Sequence, residues 1–296
     1  MSGIVGLFRR DGRSVDRTTV EGMVGTIEHR GPDGCDVVVD GEIGLGNCLF
    51  ATTPEAECET LPLVDDDLTV VADARIDNRA ELLAELESRL GDGPVTDSEL
   101  VAASYREWGR DCPERLVGAY AFAVWDADLN RLFCARDHAG IRPFYYYLSE
   151  DLFAFASEIK ALHSLRSIPR EVNERRFGRY LASIFPEDDS TYFEDVCRLR
   201  PGRWLSIDAE SSHTETYWRL DPSKRLDLSS DEAYAEAFRD VFDRAVRCRI
   251  RTQDDPASML SGGIDTSAIV STADDLLSDG RTLSTYSVVF EDVPAA

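Results

Sequence analysis

The segment Leu260-Ser261-Gly262-Gly263-Ile264-Asp265-Thr266-Ser267 constrains this chain most, because few local folds accommodate it. It follows a short apolar run, Ala257 to Leu260, and opens an amphipathic stretch from Ile264 to Leu277. Strand, glycine turn, helix is the order in which backbone N–H groups converge on an anion at a helix N-terminus. Gly262 and Gly263 permit the tight turn and let phosphate oxygens approach the main chain. Ser261, Thr266 and Ser267 add hydroxyl donors, and Asp265 suits a magnesium ion that travels with ATP. The phosphate loop GxxxxGK[ST] is excluded, since the only lysines are Lys160 and Lys224. A pyrophosphate cradle is therefore expected here, with an ordinary polar turn as the alternative.

At 296 residues, 43% of them hydrophobic, the chain is long enough for one large domain or two of ordinary size. The 56 acidic residues outnumber the 32 basic ones, leaving a net charge of −24, and only two of the bases are lysine. An acidic, lysine-poor surface suggests a halophilic protein, kept soluble in concentrated salt where self-repulsion is screened; an ordinary acidic enzyme is the alternative. Duplex nucleic acid is excluded as a partner by its own phosphates. The seven cysteines form no CxxC pair and no Cys/His cluster, so neither a disulfide framework nor a structural zinc site is expected. Scattered thiols, no signal peptide and no membrane-length apolar run point to the cytoplasm.

Ile4–Phe8 is expected as a buried strand, followed by a helix that Asp16 caps, with Val20, Met23, Val24 and Ile27 on its apolar face. Strands are expected at Val37–Val39, Ile43–Leu49 and Leu68–Ala72. Asn78 should cap a helix ending at Gly91, and Asp97 a helix from Ser98 to Trp108. Strands return at Ala121–Trp125, Leu132–Ala135, Phe144–Leu148 and Leu152–Ala156. That order favours two packed sheets with helices outside over a βαβ repeat. Asn173–Ala182 is helical, and Asp221-Pro222-Ser223 resembles a linker. Ser230–Arg249 is a long helix with Tyr234, Phe238, Val241, Phe242 and Ala245 on one face, and Thr285–Phe290 is a last strand. The domain boundary falls near residues 205–225. Cys35 and Cys134, in or beside strands, are expected in the core.

Several segments in order carry a resemblance. They are Gly3-Ile4-Val5-Gly6, His29-Arg30-Gly31-Pro32-Asp33, Arg136 through Tyr145, Ala156 through Leu162, the glycine loop, and Tyr286-Ser287-Val288-Val289-Phe290-Glu291-Asp292. Together they resemble the glutamine-hydrolysing asparagine synthetase family. The resemblance implies an α+β four-layer αββα sandwich of N-terminal-nucleophile type over residues 1–215. The start of an α/β ATP-pyrophosphatase domain, 216–296, would follow. It implies ATP and Mg²⁺ as cofactors, with Leu260, Ser261, Gly262, Gly263, Asp265, Thr266, Ser267 and Val288 at the nucleotide and the metal on Asp265. It also implies aspartate or a related carboxylate as acceptor, an acyl-adenylate, AMP and pyrophosphate released, and nitrogen from glutamine or ammonia. A homodimer is compatible with it.

The first domain departs from the pattern. The family places Cys after the initiator Met, where the free α-amine serves as proton acceptor; here the position is Ser2, a poorer nucleophile near neutrality. Its Asn-Gly-Glu, which supplies the oxyanion hole and a glutamine contact, aligns with Asp73-Ala74-Arg75. An acid at an oxyanion site removes a donor that is typically worth about 10²–10³ in rate. Arg75 reverses the attraction for a substrate ammonium. The arginine that grips the glutamine carboxylate has Leu49 nearest its place. Asp97 alone matches the remaining amino-group contact, and can equally be a helix cap.

His29, His138, His163 and His213 share no metal-ligand spacing, and Lys160 after Glu158 is expected to make a helix-start contact. The leading expectation is an ATP-dependent amide-forming ligase using free ammonia. The alternatives are a β-lactam-synthetase-like cyclase, in which an internal amine attacks, and a non-catalytic homologue. Ser267 is followed by 29 residues (296 − 267), and the family's catalytic lysine and second acidic motif lie beyond that point, so a downstream half, fused or separate, is expected.

Overall fold

The computed structural model describes residues 1–91, 93–185, 188–277 and 280–289. In chain order the first elements are β1 (Gly3–Arg9), α1 (Arg17–Ile27), β2 (Gly34–Asp40), β3 (Ile43–Leu49), β4 (Leu63–Asp65), β5 (Leu68–Ile76), α2 (Arg79–Glu85), α3 (Asp97–Trp108) and α4 (Cys112–Arg115). Next come β6 (Gly118–Asp126), β7 (Arg131–Arg136), β8 (Tyr145–Leu148), β9 (Leu152–Ala156), α5 (Ile159–Leu162), α6 (Glu174–Leu181), β10 (Cys197–Arg198), β11 (Arg203–Ile207) and β12 (Ser212–Thr216). The last are α7 (Asp231–Arg249), β13 (Ala257–Met259), α8 (Ile264–Leu276) and β14 (Ser284–Tyr286). Two compact units emerge, one of Met1–Ala51 with Cys58–Leu220, the other of Thr52–Glu57 with Asp221–Ala296.

The first unit holds two six-stranded antiparallel sheets, ordered β10-β8-β9-β1-β3-β2 and β12-β11-β7-β6-β5-β4. Strands buried on both faces need apolar residues at every position, and side-chain alternation sorts them. Phe153 and Phe155 of β9 point between the sheets, while Leu152, Ala154 and Ala156 pack toward α1 and α5. In β5, Val71 faces the other sheet and Leu68, Val70 and Ala72 face α2 and α3. The three clusters stack as helices, sheet, sheet, helices. This is the αββα sandwich expected from the resemblance.

Asp16 caps α1 by accepting from Thr18 N at 3.1 Å, and the four apolar residues of that helix are buried. Elsewhere the structure corrects the sequence. Asn78 holds the N-cap position of the next helix but makes no side-chain cap bond: its side chain donates to Arg115 O at 2.9 Å and accepts from Val117 N at 2.9 Å. The helix after it stops at Glu85, with a tighter turn at Glu87–Arg89. Asp97 is no cap either, because Thr96 and Glu99 close a reciprocal capping box one residue earlier. Strand β5 runs on through Asp73 to Ile76, and β4, β10, β11 and β12 are strands that sequence periodicity did not mark. Cys35 is exposed rather than in the core, and it is bonded to Cys48 across β2 and β3.

In the second unit β13 and β14 pair in parallel, Met259 beside Tyr286. Strand β14 ends at Tyr286, short of the expected Phe290; Phe290, Glu291 and Asp292 lie outside the described residues. The apolar face of α7 is largely uncovered: Tyr234, Phe238 and Val241 are exposed, and Val246 is buried. Among the described residues no helix is long and apolar enough to cross a membrane.

Candidate functional site

Ser2 immediately precedes β1, which lies between β3 and β9 inside its sheet, so the second residue of the chain is only 8% exposed. Its Oγ accepts from Phe50 N at 3.0 Å, and its carbonyl accepts from Arg30 Nε at 3.0 Å. Asn47 draws the sheets together here, its Oδ1 accepting from Ala72 N at 3.2 Å. The next residue on β5, Asp73, is thereby brought beside Ser2, whose backbone N–H bonds to its carboxyl.

Asp73 is 2% exposed and meets two guanidinium groups, Arg30 at 3.6 Å and Arg142 at 3.4 Å. Burial pushes its carboxyl above the usual range, against the pull of Arg142, Arg30 and the chain terminus. Burial likewise lowers the terminal amine, opposed by Asp73. Arg30 also pairs with Glu158 at 3.1 Å, and Glu158 gathers His29 at 2.9 Å and Lys160 at 3.0 Å. His29 and Lys160 therefore serve structural pairs, as their turn positions imply.

Arg142 and Glu158 belong to the segments Arg136–Tyr145 and Ala156–Leu162, where sequence alone gives them no role. The loop that presents Arg142 explains its motif. Asp137, fully buried, accepts from the backbone N–H groups of Tyr120, Ala139, Ile141 and Arg142. Arg136 closes the same loop through the carbonyls of Arg142, Gly140 and Leu199. Such side-chain satisfaction of a loop backbone has no period, so sequence patterning does not detect it.

The remaining candidates separate. Ala74 lies on the opposite face of β5 and packs with the helix layer. Arg75 is buried and ion-pairs with Asp77 at 3.7 Å. Asp97, in the first turn of α3, pairs with Arg79 and accepts from Ile76 N at 3.2 Å. Leu49, in the place of the missing arginine, is the last residue of β3, next to Phe50. One acid was missed altogether. Glu59 accepts from Ser98 Oγ, and burial, opposed by its hydroxyl partners and aided by Asp97, pushes its carboxyl up to about 7.

The glycine loop is built as the sequence implies. Gly262 has φ of +79°, a left-handed backbone that side chains resist, and open space around it. Gly263 caps the 13-residue α8. Ser261 Oγ and Thr266 Oγ1 lie 3.0 Å apart, and Ser261 Oγ accepts from Gly263 N at 3.3 Å. Asp265 and Ser267 are exposed in the first turn of α8. Leu260 N donates to Tyr286 O at 2.8 Å, so Leu260 and the exposed Val288 lie just past the C-terminal ends of neighbouring parallel strands. Ligands of open α/β sheets bind at that edge.

An αββα sandwich whose second residue is buried at the start of a central strand defines a domain of the N-terminal-nucleophile amidotransferase class. Residues 1–218 match the family model described as glutamine amidotransferase domain, and residues 237–296 match the one described as asparagine synthase. The chain belongs to the glutamine-hydrolysing asparagine synthetase family. It is 32% identical over 289 residues to asparagine synthetase [glutamine-hydrolyzing] 3 of Bacillus subtilis, covering 94% of this chain and 46% of that protein. It is 28% identical to a putative asparagine synthetase of Methanocaldococcus jannaschii, covering 98% of this chain and 60% of the relative. In fold, it superposes on the glutamine phosphoribosylpyrophosphate amidotransferase of B. subtilis with a TM-score of 0.54 at 17% identity, over 96% of this chain and 65% of that one.

Proposed function

We propose that the chain contributes the nucleotide-binding start of an ATP-dependent amide-forming ligase, with nitrogen taken from free ammonia rather than from glutamine opened at Ser2. The observation that carries this reading is that the two acids at the aligned glutamine-site positions, Asp97 and Asp73, are each already engaged. Asp97, the acid left for a substrate ammonium, is engaged by Arg79 and by a backbone N–H. Asp73 is engaged by Arg30 and Arg142. A bound glutamine would have to break buried ion pairs, and separating one member of such a pair costs about 3–5 kcal/mol. Ser2, as a hydroxyl, further needs a base to take its proton during attack.

The second unit supports the nucleotide half of the proposal. The N–H groups at the start of α8 and the hydroxyls of Ser261, Thr266 and Ser267 would hold the phosphates, with Asp265 positioned for Mg²⁺. ATP, when bound, supplies adenylyl activation of a carboxylate with pyrophosphate as the leaving group. The relatives' names make aspartate the first acceptor to try. The chain spans 46% and 60% of the lengths of these relatives, and the uncovered face of α7 supports a further portion of the ligase packing there. The pairing of Asp73 and Asp97 equally favours a cyclase reading, in which an internal amine of the substrate attacks the activated carboxylate.

The test incubates the protein, with any polypeptide that completes it, with MgATP, aspartate and either ¹⁵N-ammonium or amide-¹⁵N-glutamine. AMP release that follows ammonium and ignores glutamine is expected. Equal labelling from both nitrogen sources would sink the ammonia assignment, and aspartate-independent turnover would point to the cyclase.

A further inference from the structure

Two cysteines face each other across a strand ladder close to Ser2. Cys35 of β2 and Cys48 of β3 are register partners, 4.1 Å apart at Cα, and joined as a disulfide. So short a separation belongs to the narrow positions of an antiparallel ladder, where side chains come closest. Strand β2 is the edge of its sheet, and Cys35 is exposed there while Cys48 is fully buried. The turn His29–Asp33 sits directly on the pair: a Cβ placed on Gly31 would run into the backbone and Cβ of Cys48. Two residues beyond Cys48, Phe50 donates its N–H to Ser2 Oγ at 3.0 Å. The bridge thus ties an edge strand to the strand end whose following residue, Phe50, bonds Ser2.

We propose that Cys35 and Cys48 form a reversible thiol–disulfide site, exchanging with small thiols and disulfides, that sets the rigidity of the Leu49–Phe50 wall beside Ser2. In oxidation the Cys35 thiol loses its proton, and its sulfur, the exposed one, attacks a low-molecular-weight disulfide. That bond breaks and one small thiol leaves with a proton. The Cys48 thiolate then attacks the Cys35 sulfur of the mixed disulfide and expels the second small thiol. Two electrons pass from the cysteine pair to the external disulfide, and two protons go to the departing thiols. Reduction reverses both steps with two small thiols. Cys112 and Cys134 are wholly buried, which keeps them out of this exchange. The site is independent of whether Ser2 hydrolyses anything.

The experiment equilibrates the 296-residue chain in a series of reduced and oxidised glutathione buffers, alkylates it under denaturing conditions and maps the peptides by mass spectrometry. A Cys35–Cys48 cross-link that rises with a single midpoint is expected, with the buried Cys112 and Cys134 alkylated throughout. Hydrogen exchange at the Phe50 amide should slow about tenfold in the oxidised form, because local opening is then restrained. Cys35→Ser should abolish both changes. All seven cysteines alkylated in the oxidised buffers, or Phe50 exchange unaltered between the two states, would overturn the proposal. The wild-type series decides this by itself, whatever the stability of the variant.

Discussion

At Asp73 one strand residue meets Arg30 from the turn after α1, Arg142 from the loop after β7, and the buried start of the chain. That convergence leads to the first prediction. Purified protein given glutamine should release glutamate no faster than its Ser2→Ala variant. Ser2→Cys should not install the activity, because the carboxylates of Asp73 and Asp97 stay paired. A glutamate-release rate well above background in Ser2→Cys would show that the nucleophile was all the site lacked. Glu59 supports a second prediction. Its folded pKa, about 7, stands above the ordinary glutamate value of 4.5, so the folded state holds the proton more tightly. The stability this contributes is complete below about pH 4.5 and is lost as pH rises through about 7. Melting points compared between pH 5 and pH 8 should fall more steeply for wild type than for Glu59→Gln. Parallel pH profiles would contradict the assignment.

Helix α3 and the glycine loop are the elements on which sequence and structure meet most directly. The Thr96–Glu99 capping box satisfies N–H groups that the first turn of α3 cannot satisfy internally. Thr96→Ala should therefore destabilise the first unit by about 1 kcal/mol, measured by urea unfolding. Asn78→Ala tests a different role, the bridge to Arg115 and Val117, and should loosen the strand start at Gly118 rather than α2. In the loop, Gly262→Val forces a β-branched residue into a left-handed backbone. Calorimetry should show MgATP binding lost in this variant while the first unit melts unchanged. Undiminished binding would place the nucleotide elsewhere.

For the whole molecule the dominant quantity is the net charge of −24. Like charges on a compact surface repel, and salt shortens the range of that repulsion from about 30 Å at 0.01 M to about 3 Å at 1 M. The melting temperature should rise between dilute buffer and molar KCl. A flat or falling midpoint would remove the support for a halophilic protein. Some acids are already matched by arginines, as at Arg106 with Asp65 and Asp67, so the rise reflects the unmatched remainder.

The order of strands and helices through β9, apart from β4 and α4, the cap at Asp16 and the glycine loop were legible in the sequence, because each rests on contacts between near neighbours or on a strict side-chain period. The αββα layering followed from the order of strands and helices together with the family resemblance. What only the tertiary structure decided is which distant residues meet. Nothing local announces that Arg30 will reach Asp73 and Glu158, or that Arg142 will reach the same Asp73. Asp97 looked like a cap until the capping box at Thr96 and the pairing with Arg79 displaced it. Cys35 looked like a core residue until its strand proved to be a sheet edge with Cys48 opposite. Periodicity reports how one segment meets its own layer; ion pairs, cross-strand partners and buried loop carbonyls depend on how layers approach each other, and that separation is set only when the sheets pack.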